Sequence, residues 1–262
     1  MRVVVKIGGG ALDDKELVRK CARAIIELVD GDHHQVAVVH GGGAALTRTL
    51  HQLGKESSFI NGLRVTDSET RDVALMVLAG KVNKALVAEL AALGKPAIGL
   101  CGADGFTFRA RKKKNENCDL GYVGEICAAD PRWIDAIWNA GGIPVISSLA
   151  LGTDGQYYNV NADQTAAACA VACHAHALVF LTDVAGVKDA DGSVIRWLQI
   201  KEIGRLIKQS VIAGGMLPKL EACQEALRRG VGRVRILPAS EVNVLSDFYT
   251  CRIECGTEVM VA

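Results

Sequence analysis

No stretch of the 262-residue chain is apolar over a membrane-spanning length, and its charges nearly cancel, with 30 lysines and arginines against 29 acids. The first absence excludes a helical membrane span, and the second gives no support to non-specific binding of nucleic acid or a membrane surface. Paired-cysteine motifs are missing too. Nine cysteines, an odd number, are scattered without a C-x-x-C, which fits reduced thiols buried as small hydrophobes better than a disulfide framework. Cys169/Cys173 and Cys251/Cys255 have helical i,i+4 spacing, and His174 and His176 follow the first pair. No set of four ligands with zinc-like spacing emerges, so no metal is expected on protein ligands. Internal repeats, low-complexity tracts and linkers are lacking. Met1 leads straight into an apolar run, leaving no room for a leader peptide, and the cytoplasm is the expected compartment.

What is present is a chain of 50% hydrophobic and 23% charged residues, enough to bury a large core as one domain of two lobes or as two small domains. Its first segment, Val3-Val4-Val5-Lys6-Ile7, reads as a strand buried on both faces, followed at once by Gly8-Gly9-Gly10. A lysine in such a strand calls for a negative partner, or else a buried stem with its head reaching water at the strand end. The glycines allow backbone N–H groups to approach a ligand, and the helical pattern behind them offers a positively polarised N-terminus. Phosphate is the natural guest.

Strands and helices alternate. Leu17, Cys21, Ile25 and Leu28 recur at helical spacing, Gln35–Val39 is a strand ending in His40-Gly41-Gly42-Gly43, and Ala44–Leu53 is helical. Thr66-Asp67-Ser68-Glu69 reads as a capping box for a helix to about Leu78, with Val82–Leu93 a second helix. Strands follow at Pro96–Cys101, Ile143–Ile146 and Ala177–Leu181, and helices at Ile134–Asn139 and Ala162–Cys173. Between Asp104 and Ile126 the basic run Arg109–Lys114 and Gly121-Tyr122-Val123-Gly124 suggest solvated antiparallel hairpins projecting from a sheet. A second lobe then holds a helix over Met216–Arg229 and strands over Arg233–Leu237 and Gly256–Val261. The pattern predicts a three-layer αβα sandwich around a mostly parallel open sheet.

Two familiar nucleotide signatures fail. The dinucleotide fingerprint needs G-x-G-x-x-G and an acid ending the second strand, and a P-loop needs G-x-x-x-x-G-K-[ST]; neither is present. Instead, two glycine turns each end a strand and open a helix, which places two anion sites side by side at the carboxyl edge of the sheet.

Seven strings, Lys6-Ile-Gly-Gly-Gly, His40-Gly-Gly-Gly, Asn61-Gly-Leu-Arg-Val-Thr66, Asn159-Val-Asn-Ala-Asp-Gln164, Thr182-Asp-Val-Ala-Gly-Val187, Gly214-Gly-Met-Leu-Pro-Lys219 and Gly256-Thr-Glu-Val, span essentially the whole chain in order. Together they resemble the amino-acid kinase family. The resemblance implies a carbamate kinase-like αβα fold, with residues 1–176 as a lobe for substrate binding and dimerisation and 177–262 as the ATP lobe. It implies ATP-dependent phosphorylation of a side-chain carboxylate, that of N-acetyl-L-glutamate in arginine biosynthesis. A carboxylate is already nucleophilic, so positioning and charge stabilisation suffice.

By the same resemblance, Lys6 reaches the phosphoryl group from the substrate side, Lys219 from the nucleotide side, and Asp163 orients both. Lys219 also stands in the first turn of a helix, where a cation opposes the macrodipole unless an anion joins it. Taken locally, Lys219 reads equally as a solvated lysine and Asp163 as an ordinary first-turn acid. Gly8, Gly9, Gly42 and Gly43 would cradle phosphate and substrate oxygens, Arg64 would grip the substrate α-carboxylate with its planar fork, and Asn159 would bond its amide. From local sequence alone, Arg64 is a surface arginine and Asn159 a turn residue. The nucleotide would lie against Thr182, Asp183, Gly186, Val187, Lys188, Val211, Ile212, Ala213 and Met216. Magnesium arrives with ATP, held by phosphate oxygens and water.

Alternatives within the fold are a kinase acting on N-succinylglutamate, on carrier-bound aminoadipate or glutamate, or on free glutamate or carbamate. A non-catalytic amino-acid or nucleotide sensor should have lost Lys6, Asp163 or Lys219, and all three are present. Arginine-inhibited members of the family carry an additional N-terminal helix that interlaces dimers into hexamers. Only Met1 and Arg2 precede Val3, which leads us to expect a homodimer insensitive to arginine.

Overall fold

The computed structural model describes every residue except 32, 116, 117, 243, 244, 246–254 and 262; Cys251 therefore lies outside the described residues. In chain order the elements are β1 (Arg2–Ile7), α1 (Lys15–Asp30), β2 (Gln35–His40), α2 (Gly43–Gln52), β3 (Phe59–Ile60), β4 (Leu63–Arg64), α3 (Ser68–Ala74) and a π-helical segment (Leu75–Val82). They continue with α4 (Asn83–Ala92), β5 (Ala97–Leu100), β6 (Phe108–Lys112), β7 (Val123–Ala129), α5 (Arg132–Asn139), β8 (Ile143–Ser147), β9 (Leu149–Gly152), β10 (Tyr157–Val160) and α6 (Ala162–Ala172). The last are β11 (Ala177–Thr182), β12 (Trp197–Gln199), α7 (Ile200–Lys208), α8 (Met216–Arg228), β13 (Arg233–Pro238) and β14 (Thr257–Met260).

Eight strands form the central sheet in the order β12-β14-β13-β11-β1-β2-β8-β5. Every neighbouring pair is parallel except β13 and β14. The strand register decides which residues meet which helices. Along β1, Val3, Val5 and Ile7 enter the core that holds Cys21, Ile25 and Leu28 of α1 and Leu86 and Leu90 of α4. Val4 enters the opposite core, with Ala166 and Cys169 of α6 and Leu220 and Cys223 of α8. By the two-residue alternation of a strand, Lys6 follows Val4 onto the α6 and α8 face. Burying each large aliphatic side chain in these layers contributes about 1.5–3 kcal/mol. This is the expected αβα sandwich.

Three features depart from the sequence reading. Residues 104–126 do not project as separate hairpins. β6 and β7 pair antiparallel as expected, but with β9 and β10 they close into a four-stranded barrel, order β10-β7-β6-β9. Gly102 and Gly124 allow the close packing: a Cβ on Gly124 would fall 2.6 Å from that of Tyr158. Second, Asp67, not Thr66, caps α3, its carboxylate accepting from the Thr70 N–H at 2.8 Å; Thr66 is buried and donates to the Arg64 carbonyl. Third, the two helices expected over 66–93 are one continuous rod with π winding in its middle.

Arg109, Arg111, Lys112 and Lys114 of the basic run are exposed on the barrel, with Arg111 paired to Glu125 and Lys112 to Asp119. Cys169 and Cys173 are both fully buried, and their mutual hydrogen bond together with burial raises the Cys169 thiol. Cys21, Cys101, Cys118, Cys127, Cys169, Cys173 and Cys223 are free thiols. No helix among the described residues is long and apolar enough to cross a membrane.

Candidate active site

Both glycine turns emerge at the carboxyl edge of the sheet because β1 and β2 are parallel neighbours in register, Ile7 opposite His40. They nearly touch: a Cβ built on Gly9 would lie 3.7 Å from the Gly43 nitrogen, and one on Gly41 would lie 3.8 Å from the Gly9 nitrogen. Gly8 donates to the Leu181 carbonyl at 2.8 Å, tying the first turn to β11. Gly42 has φ of 148°, open to glycine but strained for other residues. Gly43 opens α2, whose first N–H groups have no partner within the helix.

Asp163 stands between the two lysines. Asn161 caps α6, accepting from the Asp163 and Gln164 N–H groups, and so sets the aspartate in the first turn, where a carboxylate is favoured. Its Oδ1 lies 2.8 Å from Lys6 Nζ, and Lys219 Nζ is 3.1 Å from both oxygens. All three side chains are buried. Lys219 also stands over the ring of Phe180, 5.0 Å from its centre. Burial pushes the Lys6 ammonium below its ordinary value; Asp163 opposes that shift, Lys219 adds to it, and Asp183 lends further support to the charge. Burial acts to raise the Asp163 carboxyl, yet the two lysines outweigh it and hold the group below the usual carboxylate range. Two buried cations around one carboxylate leave a positive surplus facing the glycine turns, a setting for an anion.

Arg64 comes from the short β3–β4 hairpin and is buried. It donates to Ser57 Oγ, to the Gly43 carbonyl at 2.9 Å and to Thr47 Oγ1 at 2.7 Å, with the Phe59 ring 4.6 Å from its carbon centre. Among the described residues no acid pairs with it, and burial lowers its guanidinium below the ordinary value. Asn159, on β10, donates to Thr66 Oγ1 at 3.3 Å. Arg64, Asn159, Gly42, Gly43, Ser148 and Val123 line one cleft of about 160 Å³. A larger groove of about 300 Å³ between β7, α6 and α8 is lined by none of the residues given a site role from the sequence, so volume alone would mislead.

The nucleotide-side residues divide. Thr182 is buried and donates to Asp183, whose carboxylate would lie 3.3 Å from a Cβ on Gly10. Asp183, Lys188 and Ala213 are exposed, and Val211 and Met216 are half-buried. Val187 and Ile212 instead turn into the core. Gly186 is buried with φ of 145° beneath Thr257, and the Val187 N–H donates to Thr257 Oγ1 at 2.9 Å. Among the described residues no group of three or more His, Cys, Asp or Glu side chains converges on a point that could hold a metal ion. Sequence reading missed Ser57 and Thr47, which hold Arg64, and Asn83, whose amide meets His40; small polar residues on separate elements carry no pattern a sequence displays.

An open, mostly parallel sheet with paired glycine turns and a buried lysine–aspartate–lysine cluster at its carboxyl edge defines an α/β protein with a buried cationic site. The sequence model described as the amino acid kinase family matches residues 1–238, and the chain belongs to that family. It is 63% identical over 262 residues, the whole of both chains, to the acetylglutamate kinase of Acidobacterium capsulatum. With the acetylglutamate kinase of Koribacter versatilis it shares 53% over 260 residues, 99% of each. Among solved structures it resembles N-acetylglutamate synthase from Neisseria gonorrhoeae complexed with coenzyme A and N-acetyl-glutamate, with a TM-score of 0.86 and 27% identity over 100% of this chain and 59% of that one.

Proposed function

We propose that this chain transfers the γ-phosphoryl group of ATP to the side-chain carboxylate of N-acetyl-L-glutamate, giving N-acetyl-L-glutamyl 5-phosphate and ADP, a step of arginine biosynthesis. The observation that carries the reading is the Lys6–Asp163–Lys219 cluster, and the whole-chain likeness to acetylglutamate kinases gives it its substrate. A substrate carboxylate oxygen attacks phosphorus and the bond to the β-bridging oxygen of ATP breaks; no proton has to be removed first. The chain's task is to align two anions and to spread the charge of the transferring group. Lys6 and Lys219 supply positive charge from its two sides, while Asp163 fixes both ammonium groups. The N–H groups of Gly9, Gly42 and Gly43 bind phosphate oxygens, while that of Gly8 is held by the Leu181 carbonyl. Arg64, buried without an acid, takes the α-carboxylate, and Asn159 takes the acetamido group. Magnesium bound with ATP neutralises charge on the phosphates, and the residues facing them here, lysines and backbone N–H groups, grip oxygen and not metal.

Residues 1–176 supply the acid's binding groups and 177–262 those of the nucleotide, Thr182, Asp183, Gly186, Lys188, Val211, Ala213 and Met216 among them. A homodimer joined along β5 and the rod of residues 68–92 would cover Met76 and Ile98, which are 62% and 49% exposed; light scattering tests it. The free thiols of Cys21, Cys101, Cys169, Cys173 and Cys223, all buried, suit a reducing cytoplasm. The central test is ADP release over N-acetylglutamate, N-succinylglutamate, glutamate and aminoadipate. The reading expects turnover chiefly on the first; preference for another acid would reassign the substrate, and silence on all would favour a sensor.

A further inference from the structure

His40 takes no part in the chemistry above and does not line the substrate cleft, yet it is fully buried beside the turn that does. Its Nδ1 lies 2.7 Å from the carbonyl of Gly41, and its Nε2 lies 3.0 Å from the Asn83 amide nitrogen. That amide nitrogen also donates to the Val145 carbonyl at 2.9 Å. A carbonyl can only accept and an amide nitrogen can only donate, so one tautomer satisfies both contacts: Nδ1 carries the proton and Nε2 accepts. Burial, with Lys6 nearby, drops the imidazole to about 4, which keeps it neutral and that tautomer fixed.

Holding the Gly41 carbonyl has a consequence for the next peptide. In a trans peptide the carbonyl and the following N–H point in opposite directions. Once the imidazole fixes the carbonyl of Gly41, the N–H of Gly42 is fixed too, and the carbonyl cannot swing toward a phosphate that it would repel.

The helical rod secures the other side. A Cβ on Gly42 would lie 2.7 Å from Leu78 Cδ2 and 3.3 Å from Val82 Cγ2, so both side chains pack directly on the turn. Leu78 and Val82 belong to the π segment, and the N–H of Asn83 closes a five-residue step back to the Leu78 carbonyl. Ordinary α winding would rotate residue 83 by about 140° from residue 78. Hydrogen bonding from i to i+5 brings residues five apart to roughly the same face. The π segment thus lets Leu78 and Val82 press on Gly42 while Asn83 reaches His40. Asn83 Oδ1 and Ser147 Oγ, the latter opposite His40 in the β2–β8 register, are buried without a protein partner among the described residues. A half-satisfied polar cluster is a poor device for stability alone.

We infer that His40, locked by Asn83 through the π segment, is a positioning residue that aims the N–H groups of Gly42 and Gly43 at the transferring phosphoryl group. The inference rests on the phosphotransfer reading.

The test compares His40→Leu, His40→Asn, His40→Gln and Asn83→Leu with wild type in the ADP-release assay, with melting temperature followed alongside. Asparagine places an N–H donor near the position of Nδ1, whereas glutamine reaches the position of Nε2. We expect His40→Leu and His40→Gln to lose kcat by roughly tenfold to a hundredfold, with KM values changing by no more than about threefold. His40→Asn should recover most of that loss, and Asn83→Leu should lose kcat in the same direction. His40→Leu combined with Asn83→Leu should be little worse than the first alone. The inference is overturned if wild type is active and His40→Leu and Asn83→Leu turn over within about twofold of it, or if His40→Asn is as poor as His40→Leu. It also fails if the variants lose only melting temperature while turnover per folded molecule is unchanged. Should wild type itself be silent on every acid, the phosphotransfer reading fails separately. The backbone amide resonances of Gly41–Gly43 then still decide the latch: His40→Leu must shift them and His40→Asn must restore them.

Discussion

Lys6, Asp163 and Lys219 at the carboxyl edge of the sheet, and Arg233, Glu258 and Arg235 on β13 and β14, each place two cations around one carboxylate. Arg235 Nε lies 2.8 Å from Glu258 Oε2, and Arg233 reaches both oxygens, from Nε at 3.0 Å and from Nη2 at 3.1 Å. There the planar guanidinium forks meet the carboxylate in their own geometry, on a pair of antiparallel strands with a side chain at every position. Around Asp163 the cations are compact ammonium groups with donors to spare, and the backbone facing Lys6 is glycine. Formal charge does not separate the proposed active site from a structural brace. The type of cation, the bareness of the neighbouring backbone and the position at a strand end do.

The comparison breaks first at the lysines. Lys6→Met or Lys219→Met should lower kcat by about 10²–10³-fold or more, since each removes charge that matters chiefly in the transition state. The fold should survive, because a neutral pair with Asp163 remains; near-normal turnover in either variant would sink the assigned roles. Glu258→Ala should do the reverse, destabilising by about 3 kcal/mol in denaturant unfolding while leaving kcat of the folded protein unchanged. A loss of turnover without a loss of stability there would erase the distinction.

Smaller effects sharpen it. Arg64→Lys should raise the KM for the acid roughly tenfold and leave that for ATP near its starting value, because a point charge cannot reproduce the fork on a carboxylate. Equal changes in both would contradict the placement of Arg64. Finally, Lys6 must stay protonated to act, and its folded value lies below the ordinary 10.5, chiefly through burial. Turnover should therefore fall on the alkaline side before an ordinary lysine would titrate. In Asp163→Asn that limb should move to lower pH, since the aspartate supports the charge. The loss is not unfolding: a group that binds its proton less well in the native state makes a stability contribution that rises with pH through the same window. A limb unmoved in Asp163→Asn would detach Lys6 from it.

The strand interrupted by Lys6 and the adjacent glycine turns were legible in the sequence because a charged residue in an apolar run and contiguous glycines are local signals. Arg64 was not: what makes it unusual is burial without an acid, produced by Gly43 and Thr47 of α2, Phe59 of β3 and Ser57 of the loop between them. The π winding was hidden because Leu-Met-Val-Leu-Ala is apolar at almost every position and supports several periods equally. β9 and β10 escaped notice as four-residue strands broken by Gly, Thr and Asp, and they exist as partners of β6 and β7 more than by their own propensity. His40 was read only as the place where an acid was missing, and its tautomer became visible once Asn83 stood beside it.

β1, which carries Lys6, pairs on one side with β2 and on the other with β11, so that Val3 meets Val36 early in the chain and Ala177 far later. Asp163 enters on α6, just before that second partner, and Lys219 only on α8. Long-range parallel pairing of this kind is slow, because a large loop must close before any contact rewards it. The site is therefore complete only once segments from the beginning, middle and end of the chain have come together. Lys6 has no carboxylate to meet until residue 163 has docked, so the lysine–aspartate–lysine cluster is a contact of the whole fold and of no single segment.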